Sequence, residues 1–301
     1  MMARPAPLGS PSIPRSRPPG LFRLARELAR RRAPGGYRLI DVARRLGLLE
    51  RVVRYGISEG VTLDVPIGRT ENAWDLRDVM GYQPQMVDDL VGAVESMAAP
   101  VTFVDCGADI GLVSVLVAAR CGDRLASVVA IEPNGAAFEV LQVNLDRLPC
   151  PADALRGAVS DFTGQGRLET PAYDDSAHAS FLVRAADGEI PVFRIDDLGV
   201  APGARLVMKL DVEGEELAAI RGARATLERA AGFAVSFEAH EDVARRTGVD
   251  PIEAVRYLDE IRPCAVSISE LPGHALTTDR PFFDQVSLSR PIGVSVLCRA
   301  R

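Results

Sequence analysis

From residue 101 onward, apolar positions fall into short runs separated by longer amphipathic stretches. Runs near 101 to 105, 127 to 131, 154 to 159, 204 to 210, 233 to 237, 264 to 268 and 292 to 298 are rich in Val, Ile, Leu and Phe and have strand length. Between them, Leu112 to Ala119 and the stretch carrying Leu217, Ile220, Ala223 and Leu227 place apolar residues at helical spacing. Such alternation of strand and helix predicts an α/β domain built on a mostly parallel sheet. Arg167 to Ile195 breaks the alternation. Its strand-like runs at 167 to 169, 180 to 183 and 190 to 195 surround the polar loop Tyr173 to His178, and we read it as a β insertion near the mouth of a pocket. Upstream, Ile40 to Tyr55 has helical periodicity, Val61 to Val65 alternates as a strand, and Met86 to Met97 is helical again. The expected organisation is a disordered tail over 1–36, a small helix and strand layer over 37–98, and the main domain over 99–301.

The first strand of the main domain runs into the loop Asp105, Cys106, Gly107, Ala108, Asp109, Ile110, Gly111, and the second ends on Glu132. Glycines let backbone pass close to a ligand, and a strand-to-helix turn points N–H groups toward it. An acid closing the next strand takes the two hydroxyls of a ribose. Together these predict a nucleoside-bearing cofactor. A dinucleotide fingerprint needs a middle glycine to admit a pyrophosphate, and this loop offers only Gly107 and Gly111, so S-adenosylmethionine fits better than NAD. A tight strand-to-helix connection is the plain alternative.

A second signal is the single lysine, Lys209, in a chain with 35 basic residues. It ends the run Leu206, Val207, Met208 and leads into Asp211, Val212, Glu213, Gly214, Glu215. Carboxyl ends of strands are where open α/β sheets place ligands. Lys209, Asp211 and Glu213 are therefore read as site residues, whereas Glu215 and Glu216 are read as complementing a helix dipole. The next strand ends on Glu238 and His240.

Phe103 to Gly111, Ala130 to Asn134, Arg156 to Asp161, Lys209 to Glu215 and Phe237 to His240, in that order, resemble the FkbM family of S-adenosylmethionine-dependent methyltransferases. The resemblance spans roughly residues 60 to 300. It implies a Rossmann-like class I methyltransferase fold with a seven-stranded sheet, the last strand antiparallel. It also implies methyl transfer from S-adenosylmethionine, usually to a hydroxyl of a polyketide, sugar or other secondary metabolite. Asp105, Gly107, Ala108, Asp109, Gly111, Glu132, Asp161 and Asp211 then stand as cofactor-binding positions, with Asp161 at the adenine amine. One departure is Asp109, where the family commonly has Asn.

Oxygen methylation needs in-line placement of the reactants and either a positioned base or a metal that lowers the hydroxyl pKa. Two arrangements fit these residues. In one, His240 or Asp211 is the base and Lys209 holds the carboxylates; in the other, Asp211, Glu238 and His240 hold Mg²⁺. The base reading is preferred. His178 and His274 are read as surface loop residues, and Trp74 and Tyr82 as core aromatics, with pocket lining the alternative. A non-catalytic nucleoside-binding module and an NAD-dependent oxidoreductase are the rival functions. The first has no use for Lys209, Asp211, Glu213, Glu238 and His240; the second lacks its glycine.

Composition fits a cytoplasmic enzyme of 301 residues with 47% hydrophobic residues. Five dispersed cysteines suggest neither a disulfide framework nor a zinc site. A net charge of −6 disfavours nucleic acid as a partner and leaves a small molecule or glycan as acceptor. The charge is uneven, however: Met1 to Gly36 holds eight arginines against Glu27. Leu21, Leu24, Ala25 and Leu28 have helical spacing there, which suits an acidic membrane surface or the acidic body of the chain itself, although a solvated tail is the simpler expectation. No apolar core of a secretory signal is present, and the scarcity of acids leaves a transit peptide open.

Overall fold

The computed structural model describes residues 20–31, 36–68, 75–170, 180–286 and 293–301. The tail to residue 19, Trp74, and the loop holding Tyr173 and His178 lie outside the described residues.

Two helices, α1 (Gly20–Arg30) and α2 (Gly36–Arg45), come first. The expected disordered tail is corrected over its second half. Phe22 and Ala25 of α1 are buried, and Arg26 donates to both carboxylate oxygens of Asp78 at 2.6 Å, so apolar burial and a buried ion pair fix the helix to the body. The expected helix over Ile40 to Tyr55 is also corrected. It stops at Arg45, Gly47 turns with φ 66°, and β1 (Val52–Ser58) pairs antiparallel with β2 (Val61–Pro66). A positive φ suits glycine, and the β-branched and aromatic residues Val52, Val53 and Tyr55 favour the ladder over another helical turn. Helices α3 (Leu76–Met80) and α4 (Pro84–Ser96) complete the layer.

Next come β3 (Val101–Cys106), α5 (Leu112–Cys121), β4 (Leu125–Glu132), α6 (Gly135–Leu145) and β5 (Ala152–Arg156). The single strand expected over 154 to 159 is broken at Gly157, where a side chain would meet the Pro191 carbonyl and the Phe193 ring at 2.5 Å. Beyond it, β6 (Ala158–Val159) leaves the main sheet and joins β7 (Gly164–Glu169), β8 (Phe181–Arg184) and β9 (Ile190–Phe193) in a four-stranded sheet, order β6-β9-β7-β8. This is the expected β insertion.

The chain returns through β10 (Arg205–Leu210), α7 (Glu216–Arg221), α8 (Arg224–Arg229), β11 (Gly232–Ala239), α9 (Glu241–Thr247), α10 (Ile252–Ile261), β12 (Cys264–Ile268), α11 (Phe282–Gln285) and β13 (Val294–Ala300). The main sheet has seven strands in the order β12-β13-β11-β10-β3-β4-β5, and β13 runs antiparallel to both neighbours. Successive side chains of a strand point to opposite faces. Phe103 accordingly enters the core shared with α4, α5, α6 and the β1–β2 hairpin, while Val104 enters the core shared with α7, α8 and α10. Helices therefore cover both faces.

The apolar stripe of Leu217, Ile220, Ala223 and Leu227 belongs to two short helices rather than one. Gly222, between them, lies so close to the Ser160 carbonyl that a side chain would overlap it, and its own carbonyl accepts the Asp196 N–H at 2.8 Å. The Asp196 carboxylate then accepts the N–H groups of Ala225 and Thr226 at 3.2 and 2.7 Å, capping α8 from across the fold. Asp196→Ala is expected to cost about 1–2 kcal/mol as a lost cap, read as a lower urea midpoint at unchanged slope.

Candidate active site

The carboxyl ends of β3, β4, β10 and β11 open on one cavity of about 510 Å³, a volume ordinary for a small-molecule site. Gly107, Ala108 and Asp109 form one wall, Glu132 and Asn134 another, and Lys209, Asp211, Glu213 and Glu238 a third. The β insertion contributes Leu168, Ser180 and Leu182 to the rim.

The glycine loop is shaped by packing on its own protein. Gly107 adopts φ 70°, and a side chain there would strike the Asp211 carbonyl at 1.8 Å. Gly111 adopts φ 81° against Leu141. The expectation of free N–H groups aimed at a ligand is corrected. Gly107 and Ala108 donate to the Ile131 carbonyl at 3.0 Å, Gly111 donates to Ala108, and Asp109 donates to Glu132 Oε2 at 2.7 Å. What the loop presents to the cavity is therefore chiefly side chain and surface. Asp109 has φ 52°, a conformation that Asn and Asp tolerate best among residues with side chains.

Glu132 is held at both oxygens, by the Asp109 N–H and by the Asn134 N–H at 2.8 Å. Burial outweighs those bonds and pushes its carboxyl up to about 7.

Lys209 is 4% exposed and donates to the Gly107 carbonyl at 2.7 Å. Its ammonium also lies 3.3 Å from Asp211 Oδ2 and 3.4 Å from Asp105 Oδ1. Burial favours the neutral amine, but the two carboxylates win and hold the ammonium well above the usual lysine range. A guanidinium is planar and far larger than this three-acceptor nest, which accounts for lysine in a chain otherwise furnished with arginine. Asp105 is fully buried, accepts the Ser114 hydroxyl at 2.7 Å, and does not line the cavity. Its expected cofactor contact is thus corrected to support of Lys209. Lys209→Met is expected to destabilise by about 3–5 kcal/mol by stranding Asp105, as measured by chemical denaturation.

Carboxylate oxygens of Asp211, Glu213 and Glu238 lie within 4.8 Å of one another. Burial and the neighbouring Asp211 and Glu213 charges hold Glu238 well above the usual carboxylate range. Among the described residues this is the set whose donors suit a hard cation. His240 is absent from it. Its Nδ1 accepts the Asp242 N–H at 3.2 Å as the cap of α9, and it borders a small neighbouring cavity, so its expected place among the metal ligands is corrected. Asp161 is exposed and is not among the residues that line the cavity.

Three cavity residues, Glu215, Tyr82 and Gln83, were missed or misread. Glu215 lines the cavity and accepts the Ser160 hydroxyl at 2.6 Å, and Glu216 braces the loop by accepting N–H bonds from Val212 and Gly214. Tyr82 and Gln83 enter from the N-terminal layer. Burial and the Asp211 charge push the Tyr82 hydroxyl above its usual range. Among the described residues, the non-glycine residues with positive φ are Gln83, Asp109 and Glu213, and all three line the cavity. Strain of this kind, about 1–3 kcal/mol per residue, concentrates at functional sites. Arg246 secures the Glu213 carbonyl at 2.6 Å and lies over the Phe181 ring of the insertion.

Residues 105–262, more than half of the chain, match the family described as Methyltransferase FkbM domain. The hexuronic acid methyltransferase AglP of Haloferax volcanii is 27% identical over 198 residues, covering 64% of this chain and 74% of its own. Methyltransferase FkbM from Methylobacillus flagellatus KT is 18% identical with a TM-score of 0.44 over 67% of this chain. This chain covers 44% of that protein's length. A SAM-dependent O-methyltransferase from Thermotoga maritima is 12% identical with a TM-score of 0.38, covering 74% of this chain and 69% of its own. With its seven-stranded, mostly parallel sheet and its match across the glycine loop, the lysine strand and the helices that follow, the chain belongs to the FkbM methyltransferase family.

Proposed function

We propose that this protein transfers the methyl group of S-adenosylmethionine to a hydroxyl oxygen of a glycan or a related small molecule. One observation carries the reading: a single cavity is bordered both by Glu132 with the glycine loop and by Asp211 with its carboxylate partners. The residues fit the cofactor in chemistry. Glu132, anchored at both oxygens, would take the ribose hydroxyls; Ile131, Ala137 and Val159 offer an apolar wall for a base; and the Asp109 carboxylate suits an ammonium. When bound, S-adenosylmethionine supplies an electrophilic methyl group on a sulfonium.

The chain's own residues supply position and proton acceptance. Lys209, 3.3 Å from its Oδ2, fixes the Asp211 carboxylate at the cavity wall. As the acceptor oxygen takes the methyl group, its proton passes to Asp211, whose negative charge also polarises the hydroxyl beforehand. Tyr82 and Gln83 border the same space, together with Leu168 and Leu182 of the insertion, and would exclude water and orient the acceptor. The AglP relative supports a sugar as acceptor. A second reading places a divalent cation on Asp211, Glu213 and Glu238, favoured by their mutual approach.

Calorimetry with S-adenosylmethionine, with NAD as control, tests the cofactor; methyl transfer to a panel of uronic acids, neutral sugars and macrolides tests the acceptor. Binding of the sulfonium cofactor alone, followed by transfer to oxygen, supports the reading. Preference for NAD, or transfer to nitrogen or carbon, overturns it. Activity that survives EDTA favours the base, and activity restored only by Mg²⁺ favours the cation.

A further inference from the structure

The large apolar side chains that stand exposed among the described residues are Leu24, Val42, Leu46, Leu76 and Met80, and all of them lie in the N-terminal layer. Leu24 sits on α1, Val42 on α2 with Leu46 in the turn that follows, and Leu76 and Met80 on α3. These helices adjoin: α1 packs against α2, and Arg26 of α1 grips Asp78 of α3. Arginines are interleaved with the apolar residues. Arg23 stands beside Leu24, Arg38 one helical turn before Val42, and Arg45 beside Leu46, and all three are exposed.

We propose that this face of α1, α2 and α3 is a docking surface for an anionic lipid bilayer. The pattern of arginines alternating with exposed leucine, valine and methionine is that of an interfacial helix, whose apolar side chains enter the headgroup boundary while guanidinium groups meet lipid phosphates. Charge complementarity selects this occupant over the others. The first 36 residues carry eight arginines against one acid, and α2 adds Arg38, Arg44 and Arg45 against Asp41, in a chain whose net charge is −6. An anionic surface thus attracts this layer and repels the rest of the molecule, which fixes the orientation of approach. Nucleic acid would satisfy the arginines but leave Leu46 and Met80 in water. A second copy, or the chain's own first 19 residues with Arg4, Arg15 and Arg17, would set positive charge against positive charge. No helix among the described residues is long and apolar enough to cross a membrane, so the contact is with the surface. This inference is independent of the proposed methyl transfer.

Flotation of the full chain with vesicles tests it. Vesicles of phosphatidylglycerol and phosphatidylcholine in equal parts are expected to carry at least about tenfold more protein than phosphatidylcholine alone, with the bound fraction falling as NaCl rises. The double variants Leu24→Ser with Leu46→Ser, and Arg38→Gln with Arg45→Gln, are each expected to lower the bound fraction about fivefold or more while leaving the melting temperature unchanged. Cofactor calorimetry on the same preparations separates failure of docking from failure of the cavity reading. No flotation of the wild-type chain overturns the proposal. So does flotation that both variants retain, or a dimer in solution that the serine variant dissolves without lipid ever being bound.

Discussion

Asp211→Asn is expected to lower kcat by about three orders of magnitude while changing cofactor affinity only a few fold. The amide keeps the shape of the carboxylate but can neither accept the hydroxyl proton nor polarise the O–H bond as an anion does. The fold survives because Lys209 keeps Asp105 at 3.4 Å and the Gly107 carbonyl at 2.7 Å. Single-turnover methyl transfer, paired with calorimetry, reads both quantities. A loss of less than about tenfold would remove Asp211 from the base role. His240→Ala is the contrasting case: it forfeits the cap of α9, about 1 kcal/mol, and turnover is expected to persist.

The second large effect belongs to Glu132. Glu132→Ala is expected to weaken S-adenosylmethionine binding about 100-fold or more, since two hydrogen bonds to an ionised acceptor are lost at about 1.5–3 kcal/mol each. The Asp109 and Asn134 N–H groups also lose the acceptor that orders them. The raised carboxyl adds a pH signature. The ionised form is the better acceptor for ribose hydroxyls, and this carboxyl titrates at about 7, so affinity is expected to increase from pH 6 to pH 8 and then level off. Stability moves the other way. A carboxyl raised above its ordinary 4.5 binds its proton more tightly in the folded state, so its contribution is greatest below 4.5 and is lost as pH rises toward 7. Asp109 and Lys209 are the charged neighbours that modulate this titration, and Glu216 also titrates at about 7. Glu132→Gln isolates the effect. It should flatten the affinity profile, and an undiminished pH dependence in that variant would assign the proton elsewhere.

Periodicity made the main sheet legible. The run at 264 to 268 coincides with the edge strand β12, and those near 101, 204 and 233 lie within a residue or two of β3, β10 and β11, which are buried on both faces so that their apolar character cannot be mistaken for that of an amphipathic helix. Two boundaries failed for tertiary reasons. The break at Gly157 exists because Phe193, 36 residues later, occupies the space a side chain would need. The turn at Gly47 hands Val52 and Tyr55 to a hairpin partner that helical spacing does not reveal.

The cavity divides in the same manner. Glu132, Gly107, Lys209 and Asp211 were identifiable because strand ends converge wherever a parallel sheet is formed, and the resemblance carried by those motifs fixed the family. Asp105 looked like a ligand and is a buried counter-ion of Lys209, a role set by the strand pairing that places it opposite that lysine. His240 looked like a metal ligand and is a helix cap, outside the set of carboxylates that approach one another. Tyr82, Gln83 and Leu182 carry no local signal at all. They reach the cavity only because a separate layer and an inserted sheet fold over it. Most strands of the main sheet, the glycine loop and the lysine strand are encoded by residues within a few positions of one another. Which carboxylates meet, which are buried as partners and which line the cavity depends instead on contacts between residues scores of positions apart, which no local pattern encodes.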